Sequence, residues 1–144
     1  MKAPVRHLLA LAVAALAPLA HADFYLIVQA ANPQPVLTQR EAVGIFMGRN
    51  RAFHNGEVAQ VYDLPRDSAQ RAEFYQRLTG MGPAQINSYW ARLMFSGQTM
   101  PPYAVQDEAA MLAMVKSNAN AIGWVRKEPS DKALRVLLVL KEPN

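Results

Sequence analysis

The sequence predicts one α/β domain in which a short, mostly parallel sheet is flanked by helices. Three observations lead there. Phe24-Tyr25-Leu26-Ile27-Val28 is apolar on both alternating faces, as in a strand covered on both sides. Several later segments repeat apolar residues at helical spacing behind recognisable start signals. The first elements run strand, helix, strand, the order of a right-handed crossover between parallel strands. With 144 residues, the chain holds one domain comfortably.

The first strand ends at Asn32-Pro33-Gln34-Pro35, where two prolines enforce a loop. Thr38-Gln39-Arg40-Glu41 spells a capping box: Thr38 accepts from the Glu41 amide while the Glu41 carboxylate reaches back to the Thr38 amide. The helix continues through Val43, Ile45 and Phe46 and stops at Gly48. Phe53-His54-Asn55-Gly56 is a turn leading into a second strand, Val58–Tyr62. Asp67 or Ser68 then caps a helix carrying Phe74, Tyr75 and Leu78, which ends near Thr79-Gly80. Pro83 suits the first turn of the next helix, whose apolar stripe is Ile86, Trp90, Leu93 and Met94, with Gly97 as the stop. Met100 to Tyr103 reads as a rigid connector. Asp107 to Asn118 is a helix burying Ala110, Met111, Met114 and Val115. Ala121–Val125 and Leu134–Leu140 close the chain as strands.

Composition excludes several chemistries. There is no cysteine, hence no disulfide scaffold, thiolate nucleophile or sulfur-bound metal. Of the three histidines, only His54 lies beyond the first 22 residues, so no metal site built on paired histidines is expected. His54 itself reads as an exposed turn residue. Asp107 and Glu108 open a helix, where carboxylates suit the dipole rather than paired acid–base work. Gly80-x-Gly82 follows a helix instead of a strand and so is no dinucleotide loop. No enzymatic constellation and no cofactor are expected.

Residues 1–22 read as a secretory signal peptide. Lys2 and Arg6 precede an uncharged run from Leu8 to Ala20, and Ala20-His21-Ala22 offers a small-x-small cleavage pattern. The run is shorter than the ~20 residues a membrane span needs. The expected product begins at Asp23, after cleavage behind Ala22, and resides in the periplasm. Without Lys2 and Arg6 the formal charge falls from +4 by two. A balance so close to neutral gives no reason to expect a nucleic-acid partner, and Arg49-Asn50-Arg51 reads as a solvated loop.

Three stretches resemble one lobe of the phosphate-binding proteins of ABC transporters, in the type 2 periplasmic-binding superfamily. Thr38-Gln39-Arg40-Glu41 through Ile45-Phe46-Met47-Gly48 is similar to that family's short helix ending in Ile-Phe-x-Gly. Ser88 to Gly97 is similar to its tryptophan helix and glycine stop. Asn120-Ala121-Ile122-Gly123-Trp124-Val125 resembles its Gly-Ala-Ile-Gly-Tyr-Val strand. The resemblance implies a periplasmic-binding domain over 23–144 that amounts to a single lobe. It also implies a diverged anion loop. Where the family reads Arg-x-Asp-Gly-Ser-Gly-Thr, this chain reads Leu64-Pro65-Arg66-Asp67-Ser68-Ala69-Gln70. Only Ser68 falls on a family ligand position, while Leu64 stands at the arginine and Gln70 at the threonine.

The residues still allow an oxyanion there. The first amides of a helix lack internal partners, and the dipole adds about half a positive charge. Ser68 offers a hydroxyl, Ala69 and Gln70 offer amides, and Arg66 and Arg71 offer guanidinium forks. Asp67 opposes a dianion by repulsion. A bare cap at Ser68, with both arginines solvated, explains the same residues without a ligand. Two functions are therefore expected to compete. One is a weak phosphate or related oxyanion module like the substrate-binding component of a transporter. The other is a ligand-free interaction scaffold that docks a membrane transporter, a sensor or a second copy of the chain.

Overall fold

The computed structural model describes residues 23–144; the signal-peptide expectation for 1–22 lies outside the described residues. Five strands and four helices follow one another as β1 (Phe24–Gln29), α1 (Gln39–Phe46), β2 (Gln60–Asp63), α2 (Ala69–Thr79), α3 (Pro83–Phe95), β3 (Tyr103–Ala104), α4 (Glu108–Ser117), β4 (Ala121–Val125) and β5 (Leu134–Leu140). None of the described helices is long and apolar enough to cross a membrane.

The local signals hold. The Thr38 amide donates to Glu41 Oε2 at 2.8 Å and the Glu41 amide to Thr38 Oγ1 at 3.3 Å, closing the capping box. Ser68 rather than Asp67 caps α2, its hydroxyl accepting from the Arg71 amide at 3.2 Å. Pro83 occupies the first turn of α3. Gly48 follows α1 with φ of +71°, and a Cβ there would stand 3.1 Å from both Trp90 Cη2 and Thr99 Cγ2. Both the turn and the approach of α3 favour glycine at this position.

The sheet corrects the expected connectivity. Its order is β3-β2-β4-β1-β5. β4 lies between β1 and β2, antiparallel to β1 and parallel to β2, so β1 and β2 are neither neighbours nor parallel. β5 adds antiparallel to β1, and β3 adds parallel to β2. Half the pairings are thus parallel, and the predicted crossover from β1 through α1 onto a parallel neighbour does not form. The cause is burial: every residue of β4 is buried, and it takes the sheet centre although it comes late in the chain. β3 was expected as part of a rigid connector. Its two residues pair with Tyr62 and Asp63, carrying Pro101 and Pro102 to the edge of the sheet.

Helices cover both faces. Gly123 faces α4 so closely that a Cβ would lie 2.5 Å from Met111 Sδ and 3.2 Å from Val115 Cγ2. The next residue, Trp124, points to the opposite face, as strand alternation requires, and stacks on Phe74 of α2 with centroids 4.5 Å apart. Phe24 meets both rings edge-on, at 5.4 Å and 5.6 Å. Such pairs add about 0.5–1.5 kcal/mol each beyond area burial. On α4, Met111 and Val115 are buried as expected, whereas Ala110 is half-buried and Met114 exposed, because one turn in contact with a flat sheet buries a narrow stripe. On α3, Ile86 and Trp90 are buried, but Met94 is 49% and Phe95 96% exposed. The last turn of that helix is therefore left uncovered.

Candidate functional site

β2 ends on Asp63, which is 2% exposed. Its carboxylate gathers donors from three elements. Oδ1 accepts from the Leu64 amide at 2.8 Å and Trp124 Nε1 at 3.2 Å; Oδ2 accepts from Arg71 Nε at 2.9 Å and the Tyr75 hydroxyl at 2.8 Å. Burial pushes the Asp63 carboxyl above its ordinary value, opposed by the Arg71 charge and by the hydrogen bonds from Tyr75, Arg71 and Leu64. Burial likewise pushes the Tyr75 phenol up, and the neighbouring Asp63 carboxylate pushes it further. The cluster ties the sheet centre to the first turns of α2.

Arg71 is consequently not a solvated fork. It is 7% exposed, its Nε is held by Asp63, its Cζ lies 5.0 Å over the Tyr75 ring, and Nη1 donates to Asn87 Oδ1 of α3 at 3.4 Å. Helical spacing brings this about: Arg71 and Tyr75 are four residues apart and so share one face of α2. The sequence carried part of that signal in the i, i+4 pair, but nothing local marked Asp63 as their partner.

Above this cluster opens a groove of about 620 Å³ lined by Asp63, Leu64, Arg66, Arg71, Asn87 and Trp90, together with Met94, Phe95, Pro101, Pro102 and Ala104. Of the five residues the sequence singled out, Arg66 and Arg71 reach this groove; Ser68, Ala69 and Gln70 do not line it. The Ser68 oxygen is occupied by its cap, leaving only its hydroxyl proton to offer. Arg66 is exposed and takes part in no ion pair or hydrogen bond among the described residues. Asn87, Phe95, Pro101 and Pro102 carry no local signal that marks them as site residues. Trp90 was read mainly as core, and it serves as both core and wall.

Two buried donors beside the groove have no protein acceptor, Trp90 Nε1 and Arg51 Nη2. Arg51 Cζ sits 5.7 Å over the Trp90 ring, and its Nε donates to the Ile45 carbonyl at 3.4 Å. Desolvation lowers the Arg51 pKa. Arg51 thus packs against α1 and α3 instead of lying in a solvated loop. Tyr89 donates to the Met47 carbonyl at 2.7 Å, and Trp124 is wholly core. His54 is exposed, with Nε2 3.5 Å from Glu41 Oε1. Among the described residues no three His, Cys, Asp or Glu side chains are grouped so as to hold a metal ion.

No protein-family model and no curated protein sequence matches the chain. Solved structures do. A phosphate ABC transporter substrate-binding protein of Clostridium perfringens, solved with bound phosphate, superposes with a TM-score of 0.63 at 18% identity over 81% of this chain and 45% of its own length. An ABC-type phosphate transport receptor of Vibrio cholerae gives 0.61 at 19% identity over 81% of this chain and 46% of its own. The chain therefore has the fold of these proteins and spans less than half the length of either, as a single lobe does.

Proposed function

We propose that the chain is an oxyanion-binding module of the periplasm, built like one lobe of a phosphate receptor and exported by a signal peptide at 1–22 cleaved after Ala22. The observation that carries this reading is the likeness of fold to two phosphate receptors over most of the chain. The unpaired Arg66 on the groove beside the start of α2 supports it. Arg66 supplies the free charge; the Ala69 and Gln70 amides, unfilled at the start of α2, add to the local field from outside the groove lining. Ser68 serves as the α2 cap outside the groove lining, while Arg71, anchored by Asp63, supplies a preset guanidinium edge. The role is binding rather than catalysis, since the one groove carboxylate already serves four donors. One lobe on its own covers an anion from one side, so residues 23–144 by themselves are expected to bind in roughly the micromolar-to-millimolar range.

Calorimetric titration of residues 23–144 with phosphate, beside an Arg66→Ala variant, tests this. Saturable heat that weakens about tenfold or more in the variant is expected, with unchanged melting temperature because Arg66 holds nothing in place. A second reading, docking without a ligand, is favoured by the exposure of Met94, Phe95, Met100 and Tyr103 at one end of the lobe. Absence of heat at tens of millimolar phosphate would overturn the first reading. Complexes found by light scattering with a transporter or sensor partner, or as homodimers, would then support the second.

A further inference from the structure

Inorganic phosphate leaves most of this groove unfilled. Four oxygens, each taking roughly the ~30 Å³ of a water molecule, fill ~120 Å³ of a groove of about 620 Å³. The full volume is instead that of a small-molecule site, for which about 300–1,000 Å³ is usual. Its chemistry is mixed: Arg66, Arg71, Asn87 and Asp63 supply the polar groups and the other lining residues are apolar. Along α3 the lining passes from Asn87, bonded to Arg71, to Met94 and Phe95 about two turns on. The charges also decide something. Asp63 and Arg71 neutralise each other at 2.9 Å, so Arg66 leaves the lining with a single net positive charge. At the end of α3 Phe95 is 96% and Met94 49% exposed, and Pro101 and Pro102 line the same groove. Large apolar side chains left facing a cleft mark a surface that another apolar group covers.

We infer that the groove takes an organic oxyanion, a phosphate monoester or similar acid whose charged head meets Arg66 and the Arg71 edge and whose apolar or aromatic body lies on Met94, Phe95 and the Pro101-Pro102 wall. This rests on the oxyanion reading above and narrows its ligand class from the bare ion to an ester of it. The head alone gains what phosphate gains; the body adds burial of its own apolar area.

Titrations with inorganic phosphate, methyl phosphate, phenyl phosphate and neutral benzyl alcohol test the inference on residues 23–144. Phenyl phosphate is expected to bind at least about tenfold tighter than methyl phosphate, which carries the same head, and benzyl alcohol far more weakly than either. In a Met94→Ser, Phe95→Ser variant, whose altered side chains are solvent-exposed, that preference should vanish while methyl phosphate binding is unchanged. Equal affinity for the methyl and phenyl esters would overturn the inference and leave the oxyanion reading standing. Benzyl alcohol binding as well as phenyl phosphate would overturn it by showing that no charged head is recognised. Failure of all three anions would remove both readings together.

Discussion

Replacing Asp63 by alanine should be among the most damaging single changes in this protein. The substitution strands four donors: the Leu64 amide, the Trp124 indole, the Arg71 guanidinium and the Tyr75 hydroxyl. Removing one partner of a buried ion pair costs about 3–5 kcal/mol, and an unsatisfied buried donor about 1–3 kcal/mol. Because the four share one acceptor and relax together, their costs do not add, and about 4–6 kcal/mol is the expected loss. A domain of this size has about 5–15 kcal/mol in all, and each kcal/mol moves the midpoint by about 3–5 °C. A fall of about 12 °C or more in a thermal melt followed by circular dichroism is therefore expected. Asp63→Asn should cost less, since it keeps one acceptor oxygen, but it still leaves the Arg71 cation without a counter-charge and turns an NH2 towards a pair of donors. The sign of the pH effect follows. A carboxyl raised on folding binds its proton more readily in the folded state, so its contribution improves as pH falls from the folded value towards the unfolded one. Acid does not unfold the protein through Asp63. An alanine variant melting within about 3 °C of the parent, or an asparagine variant as unstable as the alanine one, would refute the argument.

Three further outcomes are expected. The Glu41 carboxyl is held below 4.5, chiefly by the Thr38 amide and then by the Thr38 hydroxyl; its stabilisation is present above the unfolded value and lost as pH falls through the folded one. Carbon-detected titration should show Glu41 rising towards 4.5 in Thr38→Val, and a parent value at or above 4.5 would contradict the capping geometry. Arg51→Met should leave stability within about 1 kcal/mol of the parent, because a half-buried cation with one unpartnered donor is exchanged for an apolar chain of similar length; a loss beyond about 2 kcal/mol would show a partner holding it. Gly123→Ala should cost about 1–3 kcal/mol by pushing α4 off the sheet. Met111→Ala, in the wholly buried core, should cost less in that background than in the parent, and simple additivity of the two would show that the contact does not govern the packing.

Local signals reported on local structure with good fidelity here. The Thr38 box, the Ser68 cap, Pro83 in the first turn of α3 and the doubly covered Phe24–Val28 strand depend on hydrogen bonds and apolar spacing within a few residues. A sequence displays such relations directly. The resemblance in three stretches led to the lobe fold that the solved receptors share. Strand partnership is another matter. Whether β1 lies beside β2 or β4 depends on which strand wins the centre of the sheet, and that competition is settled by total burial across the whole domain. β4 took it, and the parallel crossover gave way to a mixed sheet.

The same division runs through the site. Reading the chain alone placed an oxyanion at Arg66, Ser68, Ala69, Gln70 and Arg71 because a helix start and two arginines are visible in one dimension. Folding then set Asp63 against Arg71 and brought Trp124, distant in sequence, onto the same carboxylate. It also brought Trp90 and Phe95 of α3 and the two prolines before β3 to one groove with Asp63. Composition and spacing state what each side chain is able to donate or cover. Which of those capacities is already spent inside the protein, and which is left facing a ligand, follows from non-local contacts that exist only once the sheet has closed.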